Sequence, residues 1–190
     1  MMKLLAPALR LLLICSLAAG TLAVVYKSTQ ARIEVNRSEE KARRLRWVMP
    51  DCPEVQARQD PDGGEFYAGL KDSAPCGWAV ETRAKGYGGE IVILLGTDLR
   101  GRVTGFSILS HKETPGLGDK ASQPAFAKQF LGLSLESLRL RKDSPEGAVD
   151  ALTAATITSR AVTGGMREGV ERILRLSGGA GSGAAGGDRR

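Results

Sequence analysis

The chain opens on an almost unbroken apolar stretch: Leu4 to Tyr26 carries a single charged residue, Arg10. About 20 such residues of helix cross a bilayer, and a charge near the end of the span can snorkel outward. The pattern predicts a transmembrane anchor within residues 1–27. A cleaved signal peptide is the competing reading, because Lys3 and Arg10 precede the apolar run from Leu11. That run continues through Val25 without a clean cleavage site. Ile14 stands before Cys15 where a lipidation signal needs a small residue. The uncleaved anchor is therefore preferred. From Ser28 to Val48 the chain is charged, with scattered apolar residues and good helix formers, and Pro50 and Pro53 follow. This predicts a helical stalk over residues 28–50.

Beyond the prolines the apolar spacing shortens. Asp60-Pro61-Asp62-Gly63-Gly64 is a turn signal. Four short runs then follow: Glu65–Leu70, Trp78–Ala84, Glu90–Thr97 and Val103–Ser110. Each is rich in apolar or β-branched residues and bounded by Gly, Pro or Asp, which predicts an antiparallel sheet. Leu99–Arg102, with Asp98 and Gly101, predicts a hairpin between the last two. Gln123–Leu131 reads as a short helix with Phe126 and Phe130 on one face, and Leu138–Lys142 as a further strand. From Thr158 to Leu176, Val162, Met166, Val170, Ile173 and Leu174 recur at helical spacing and are read as core contacts. Gly164, Gly165 and Gly169 within it imply either close packing or flexibility. Residues 177–190 are Gly-, Ala- and Ser-rich and predict a disordered tail. The expected fold class is α+β: a transmembrane helix, then a mainly antiparallel sheet flanked by helices, with the folded domain over residues 51–176.

The 190 residues are 42% hydrophobic, enough for one ordinary domain with a sizeable core. The net charge of +6 is spread along the chain with no aromatic-interleaved basic stripe, which argues against nucleic-acid binding. Arg43, Arg44 and Arg46 read as a solvated or headgroup-facing helix surface. Of the three cysteines, Cys15 falls in the anchor as an apolar filler. Cys52 and Cys76 are open to pairing or to remaining as thiols, and form no metal-ligand pattern. His111, the only histidine, has no triad or metal spacing around it and is read as structural or solvent-exposed. No P-loop, Rossmann fingerprint or paired carboxylates stand out, so no metal site, catalytic residue or NADH site is expected.

The candidate chemistry lies in Asp150-Ala151-Leu152-Thr153-Ala154-Ala155-Thr156-Ile157-Thr158-Ser159. Ala154 and Ala155 leave the Thr156 hydroxyl open to a large group. The helix starting just downstream offers unpaired N–H groups and a positive dipole end, which suit a phosphate. Thr156, Thr158 and Ser159 are also ordinary N-cap candidates.

This segment resembles the flavinylation motif of the FMN-binding domain family, Asp-x-x-Ser/Thr-Gly-Ala-Thr followed by Ser or Thr. His111-Lys112-Glu113-Thr114-Pro115-Gly116-Leu117-Gly118-Asp119-Lys120 is similar to the family's E-T-P-G-x-G segment, and Lys85-Gly86-Tyr87-Gly88-Gly89 to its G-Y-x-G turn. The family includes the G subunit of the Rnf (Rsx) electron transport complex and the C subunit of the sodium-pumping NADH:quinone reductase. Length and a single span fit the former. The resemblance implies FMN esterified through its phosphate to Thr156 by a dedicated flavin transferase that uses FAD. Thr153, Ala154, Ala155, Thr158, Glu113, Thr114, Gly116 and Tyr87 are the other implied cofactor-binding positions. Glu113 would hydrogen-bond the ribityl chain or ring, or cap the following turn. Tyr87 would pack near the ring or serve as a buried structural tyrosine. Gly116 and Gly118 would let the backbone approach the cofactor or supply turn dihedrals. Ala154 stands where the family usually has Gly, and its methyl matters if the backbone there needs positive φ.

The implied function is an electron-carrying subunit of an enzyme complex that couples ferredoxin/NAD electron flow to ion movement. Its partners are the other membrane, iron–sulfur and flavin subunits. It would sit in the bacterial inner membrane by one span, with the soluble domain on the periplasmic side. Lys27, Arg32, Arg37 and Lys41 on the C-terminal flank argue the opposite orientation by the positive-inside rule, which weakens for long translocated domains. Alternative functions are a non-redox anchored scaffold that has lost flavin, or the flavin domain of another respiratory system.

Overall fold

A computed structural model of the chain describes residues 2–60 and 65–180. It divides into two compact units, residues 1–42 and 43–190.

The first unit is helical throughout its described length, part of α1 (Met2–Val48). Pro7–Gln30 is long and apolar enough to cross a membrane, with a mean hydropathy of 2.2 over its most apolar window. Its Leu, Ile and Val side chains are exposed, as befits a surface meant for lipid.

The second unit begins inside α1. Leu45, Val48 and Met49 are buried in its core, so the end of the predicted stalk is part of the folded domain. After α1 come β1 (Glu54–Gln59), β2 (Glu65–Lys71), β3 (Ala74–Lys85), β4 (Glu90–Asp98) and β5 (Val103–Ser110). They form a five-stranded antiparallel meander in sequential order. The four predicted strands are all present, and β1 is additional. β1 is almost wholly exposed along its length and joins β2 as an edge strand, so no apolar alternation marks it. β3 starts four residues before the predicted Trp78. Asp72 and Ser73 take positive φ, 50° and 65°, and pair Lys71 with Ala74 across a tight turn, which matches a two-residue hairpin of the primed type. The predicted Leu99–Arg102 hairpin forms. Asp98 and Arg102 close it, and Asp98 Oδ1 accepts from the Arg100 and Arg102 amides at 2.9 and 2.8 Å. The turn read over Asp60–Gly64 lies mostly outside the described residues; Asp60 itself is buried against Arg172 at 2.5 Å.

Helix α2 is one turn, Pro124–Ala127, followed by a 3-10 turn over Lys128–Phe130. It is shorter than the helix predicted over Gln123–Leu131. Phe126 and Phe130 are buried as expected, with ring centroids 5.2 Å apart, edge to face. The strand predicted over Leu138–Lys142 is absent; a single bridge, Leu140 to Val149, stands in its place. Leu138 and Leu140 are buried, so the apolar signal reports burial and not a ladder. Helix α3 runs Thr156–Ala180. It begins two residues before the predicted start and continues through Ser177–Ala180, four residues of the expected tail.

The sheet's two faces are buried differently. On one face Phe66, Val80, Ile91, Ile93, Leu95, Phe106 and Ile108 pack against Val162, Met166, Val170 and Ile173 of α3 and against Phe126, Phe130 and Leu138. A Cβ on Gly169 would lie 2.7 Å from Leu95 Cδ2, and one on Gly165 3.0 Å from Ile93 Cδ1. Those glycines serve close packing of helix on sheet. On the other face Leu45, Val48, Met49 and Cys52 cover Tyr67, Ala79 and Leu94. Cys52 and Cys76 form a disulfide there, with Cα atoms 5.9 Å apart.

Candidate functional site

Asp150–Ser159 leads into α3 through a turn closed by the Ala155 amide on the Leu152 carbonyl, 3.1 Å. Ala154 sits inside that turn at φ 60°, the left-handed region where an L side chain costs about 1–2 kcal/mol. Ala155 is the N-cap: its carbonyl accepts from the Ser159 amide at 3.0 Å, and its methyl offers no capping group. Thr156 is therefore the first helical residue. Helical amides of the first turn have no acceptor within the helix. The Ser159 hydroxyl binds the turn to the helix, donating to Ala155 O and accepting from the Leu152 amide, both at 2.9 Å. Ser159 is thus a structural tie and not a ligand.

Glu113 joins the three sequence motifs. It is buried, with Oε1 accepting from the Gly88 amide at 2.9 Å and Oε2 accepting from the Thr158 hydroxyl. Its own amide donates to His111 Nδ1 at 3.2 Å, so His111, read as structural or solvent-exposed, is half-buried and accepts a local hydrogen bond. A Cβ on Gly118 would fall 2.7 Å from Glu113 Oε2 and 2.8 Å from Thr158 Oγ1, so Gly118 is small because that junction is filled. One carboxylate thereby draws the β3–β4 turn, the loop after β5 and the first turn of α3 to one point.

A cavity of about 610 Å³ opens where they meet, lined by Tyr87, Glu113, Thr114, Leu117, Gly118 and residues Ala154 to Thr158. That is a usual size for a cofactor site. Three large side chains on its rim are conspicuously exposed: Tyr87 at 72%, Ile157 at 52% and Leu117 at 41%. Tyr87 is accordingly not a buried structural residue.

Of the residues singled out from sequence, Thr156, Ala154, Ala155, Thr158, Glu113, Thr114 and Tyr87 line this cavity. Thr158 and Glu113 are spent on each other. Thr153 is exposed in the adjoining turn. Gly116, at φ 77°, makes a turn outside the lining, so its role is dihedral. Sequence reasoning missed Leu117 and Ile157, which sit inside the quoted motifs, and Lys142, which does not. Lys142 Nζ donates to Thr156 Oγ1 at 3.3 Å. Beside it, Asp143 accepts two hydrogen bonds from Arg160, at 2.8 and 2.7 Å. That guanidinium holds the Asp143 carboxyl below its ordinary value, and Asp143 in turn raises Arg160. Among the described residues no cluster of His, Cys, Asp and Glu is arranged to hold a metal.

The fit to FMN follows from this geometry. An open hydroxyl and a cation stand at an uncapped helix start, where a phosphate is favoured. An apolar rim flanks them, as a planar ring system requires.

Residues 86–171 match the family model for the FMN-binding domain. Over 177 residues the chain is 31% identical to the G subunit of the ion-translocating oxidoreductase complex of Methanosarcina acetivorans, covering 88% of this chain and 93% of that one. It is 35% identical to the corresponding G subunit of Stutzerimonas stutzeri, covering 90% and 81%. With the G subunit of the proton-translocating ferredoxin:NAD(+) oxidoreductase complex of Clostridium ljungdahlii it shares 42% identity, over 60% of this chain and 63% of that relative's length. In structure it resembles NqrC of Shewanella oneidensis, with a TM-score of 0.53 and 21% identity over 67% of this chain and 70% of the other. The fold is thus that of an FMN-binding domain. The chain belongs to the G-subunit family of ion-translocating oxidoreductase complexes.

Proposed function

We propose that this chain is the anchored flavin carrier of an ion-translocating ferredoxin/NAD oxidoreductase complex, with FMN held by a phosphodiester to Thr156. The observation that carries the reading is the placement of Thr156. Its hydroxyl stands at the first residue of α3, on the wall of the 610 Å³ cavity rimmed by Tyr87, Leu117 and Ile157. Attachment needs a flavin adenine dinucleotide donor. Thr156 Oγ forms a bond to the flavin-side phosphorus, the pyrophosphate bond breaks, AMP leaves and the hydroxyl proton is released. A flavin transferase would catalyse that exchange.

Once bound, the isoalloxazine ring supplies the electron transfer. The chain's own residues hold and shape. Glu113 fixes the site's three segments, and Tyr87, Leu117 and Ile157 offer apolar surface to a ring. Electrons would come from and go to the other subunits. The soluble domain would lie on the periplasmic side of the inner membrane, anchored by Pro7–Gln30.

The test is intact-mass analysis and in-gel flavin fluorescence of the full chain co-expressed with a flavin transferase. One FMN per chain is expected in the wild type and none in Thr156→Ala. An unmodified wild-type chain would refute the reading. Protease digestion of spheroplasts should remove the soluble domain if it faces the periplasm. The Ala154 backbone favours the second reading, a scaffold that no longer carries flavin, since the strained methyl borders the attachment site. A cost of about 1–2 kcal/mol is small beside domain stability, and the carrier reading is preferred.

A further inference from the structure

The loop Arg139–Val149 belongs to none of the three motifs, yet it delivers a cation to the attachment hydroxyl. We propose that Lys142 is the positioning counter-charge for a phosphodiester on Thr156, and that the Asp143–Arg160 pair exists to keep it there. The proposal rests on the carrier reading above and assigns the residue that holds the phosphate end.

The placement is built from the chain outward. Leu140 and Val149 are buried, 2% and 0% exposed. The Arg141 amide donates to Val149 O at 2.9 Å, and the Val149 amide to Arg139 O at 3.2 Å. These bonds pin both ends of the loop to the core. Arg160 follows Thr156 by four residues, so the two share one face of α3. On that face Arg160 grips Asp143 with two nitrogens, which leaves the neighbouring Lys142 over Thr156. Arg141 is separately matched with Asp150 at 3.4 Å.

The charges on this face then sort themselves. Arg160 is neutralised by Asp143 and Arg141 by Asp150. Lys142 has no carboxylate at ion-pair distance among the described residues, although its charge adds a smaller pull on Asp143 beside Arg160's, and its hydrogen bond goes to the Thr156 hydroxyl oxygen. A phosphodiester at that oxygen carries one negative charge, and an ammonium donates well to phosphate oxygens. The first-turn amides approach the same group from the helix side. Lys142 therefore supplies the charge and α3 the dipole end. Because Lys142 is exposed, its effect is graded and salt-sensitive.

The test uses the full chain with a flavin transferase and FAD, and follows covalent flavin per chain over time by intact mass. Lys142→Met should load roughly tenfold more slowly than wild type, and Lys142→Glu more slowly still, while Lys142→Arg should stay within about twofold. The gap between Lys142→Met and wild type should narrow as salt is raised. In fully loaded protein, the phosphodiester 31P resonance should move in Lys142→Met and return in Lys142→Arg. Loading of Lys142→Met at the wild-type rate would overturn the proposal and leave the carrier reading intact. So would slow loading with an unmoved 31P resonance, because Lys142 would then be acting on the transferase. A wild-type chain that takes up no flavin would bring down the carrier reading and this proposal with it.

Discussion

The two faces of the sheet are closed by different means. The face under α3 is filled by side chains: Ile91, Ile93 and Leu95 of β4 alone contribute three fully buried branched residues. The opposite face has a smaller side-chain cluster around Tyr67, Ala79 and Leu94, and glycines open part of it to the backbone. Gly96 and Gly105 stand directly across β4 and β5, and a Cβ on Gly105 would lie 3.1 Å from Val48 Cα. The end of α1 thus lies backbone-on-backbone against the sheet, with Thr104 Oγ1 donating to Val48 O at 2.5 Å. Gly69 makes room for Cys52, whose Sγ would be 2.7 Å from an added Cβ. The first face is held by apolar area, and the second by close approach and a covalent staple. The proposed flavin site grows from the first, where α3 and the β3–β4 turn are held by the larger core.

The largest test of this contrast is Ile93→Ala, which empties a fully buried position under α3 and should cost about 4 kcal/mol. Urea unfolding of the full chain in detergent measures it, and a loss below about 1 kcal/mol would contradict a side-chain-filled face. Next is the staple. Replacing Cys52 and Cys76 together by Ser opens a loop with a sequence separation of 24, worth about 3 kcal/mol in the chain-entropy account. The covalent FMN loading proposed for Thr156 should survive that change under conditions where the domain stays folded. Gly96→Ala comes third, at about 2 kcal/mol, because its methyl would strike the Val48 carbonyl. Alanine at Gly164, where nothing lies within 4 Å, should instead stabilise by about 0.5–1 kcal/mol. The same urea unfolding measures both.

Ala154→Gly should gain about 0.5–1 kcal/mol, the relief of a left-handed alanine less the greater chain entropy of glycine. The smallest effect is that of pH. Asp143 sits below its ordinary carboxyl value of 3.8 in the folded protein, so folding favours its ionised form. Whatever that pair contributes is complete above about pH 4 and fades as pH falls through the lowered value. Titrating Asp143 by NMR should move its midpoint up toward the ordinary value in Arg160→Met, and an unchanged midpoint would deny the pairing.

Much of the first face was legible because it is periodic. The apolar and β-branched runs of β2 to β5, bounded by turn residues, and the spacing Val162, Met166, Val170, Ile173 each follow from burial against a core. The second face was mostly silent. Glycines that admit a neighbouring backbone look like turn residues, and β1 has no apolar face to announce it. The contrast repeats inside the site. Thr156, Glu113 and Tyr87 lie in contiguous motifs, but Leu140, read as strand, is buried without a ladder.

The sequence by itself determined the apolar span, the strands that are short apolar runs between turn residues, the final helix and the threonine at its start, because each is written in residues close together along the chain. Tertiary structure alone decided that Glu113 joins three separate segments, that Cys52 meets Cys76, and that Lys142 stands over Thr156. Those relations depend on distances across the fold, set by how the sheet, α3 and the loop Arg139–Val149 pack, and no local spacing encodes them.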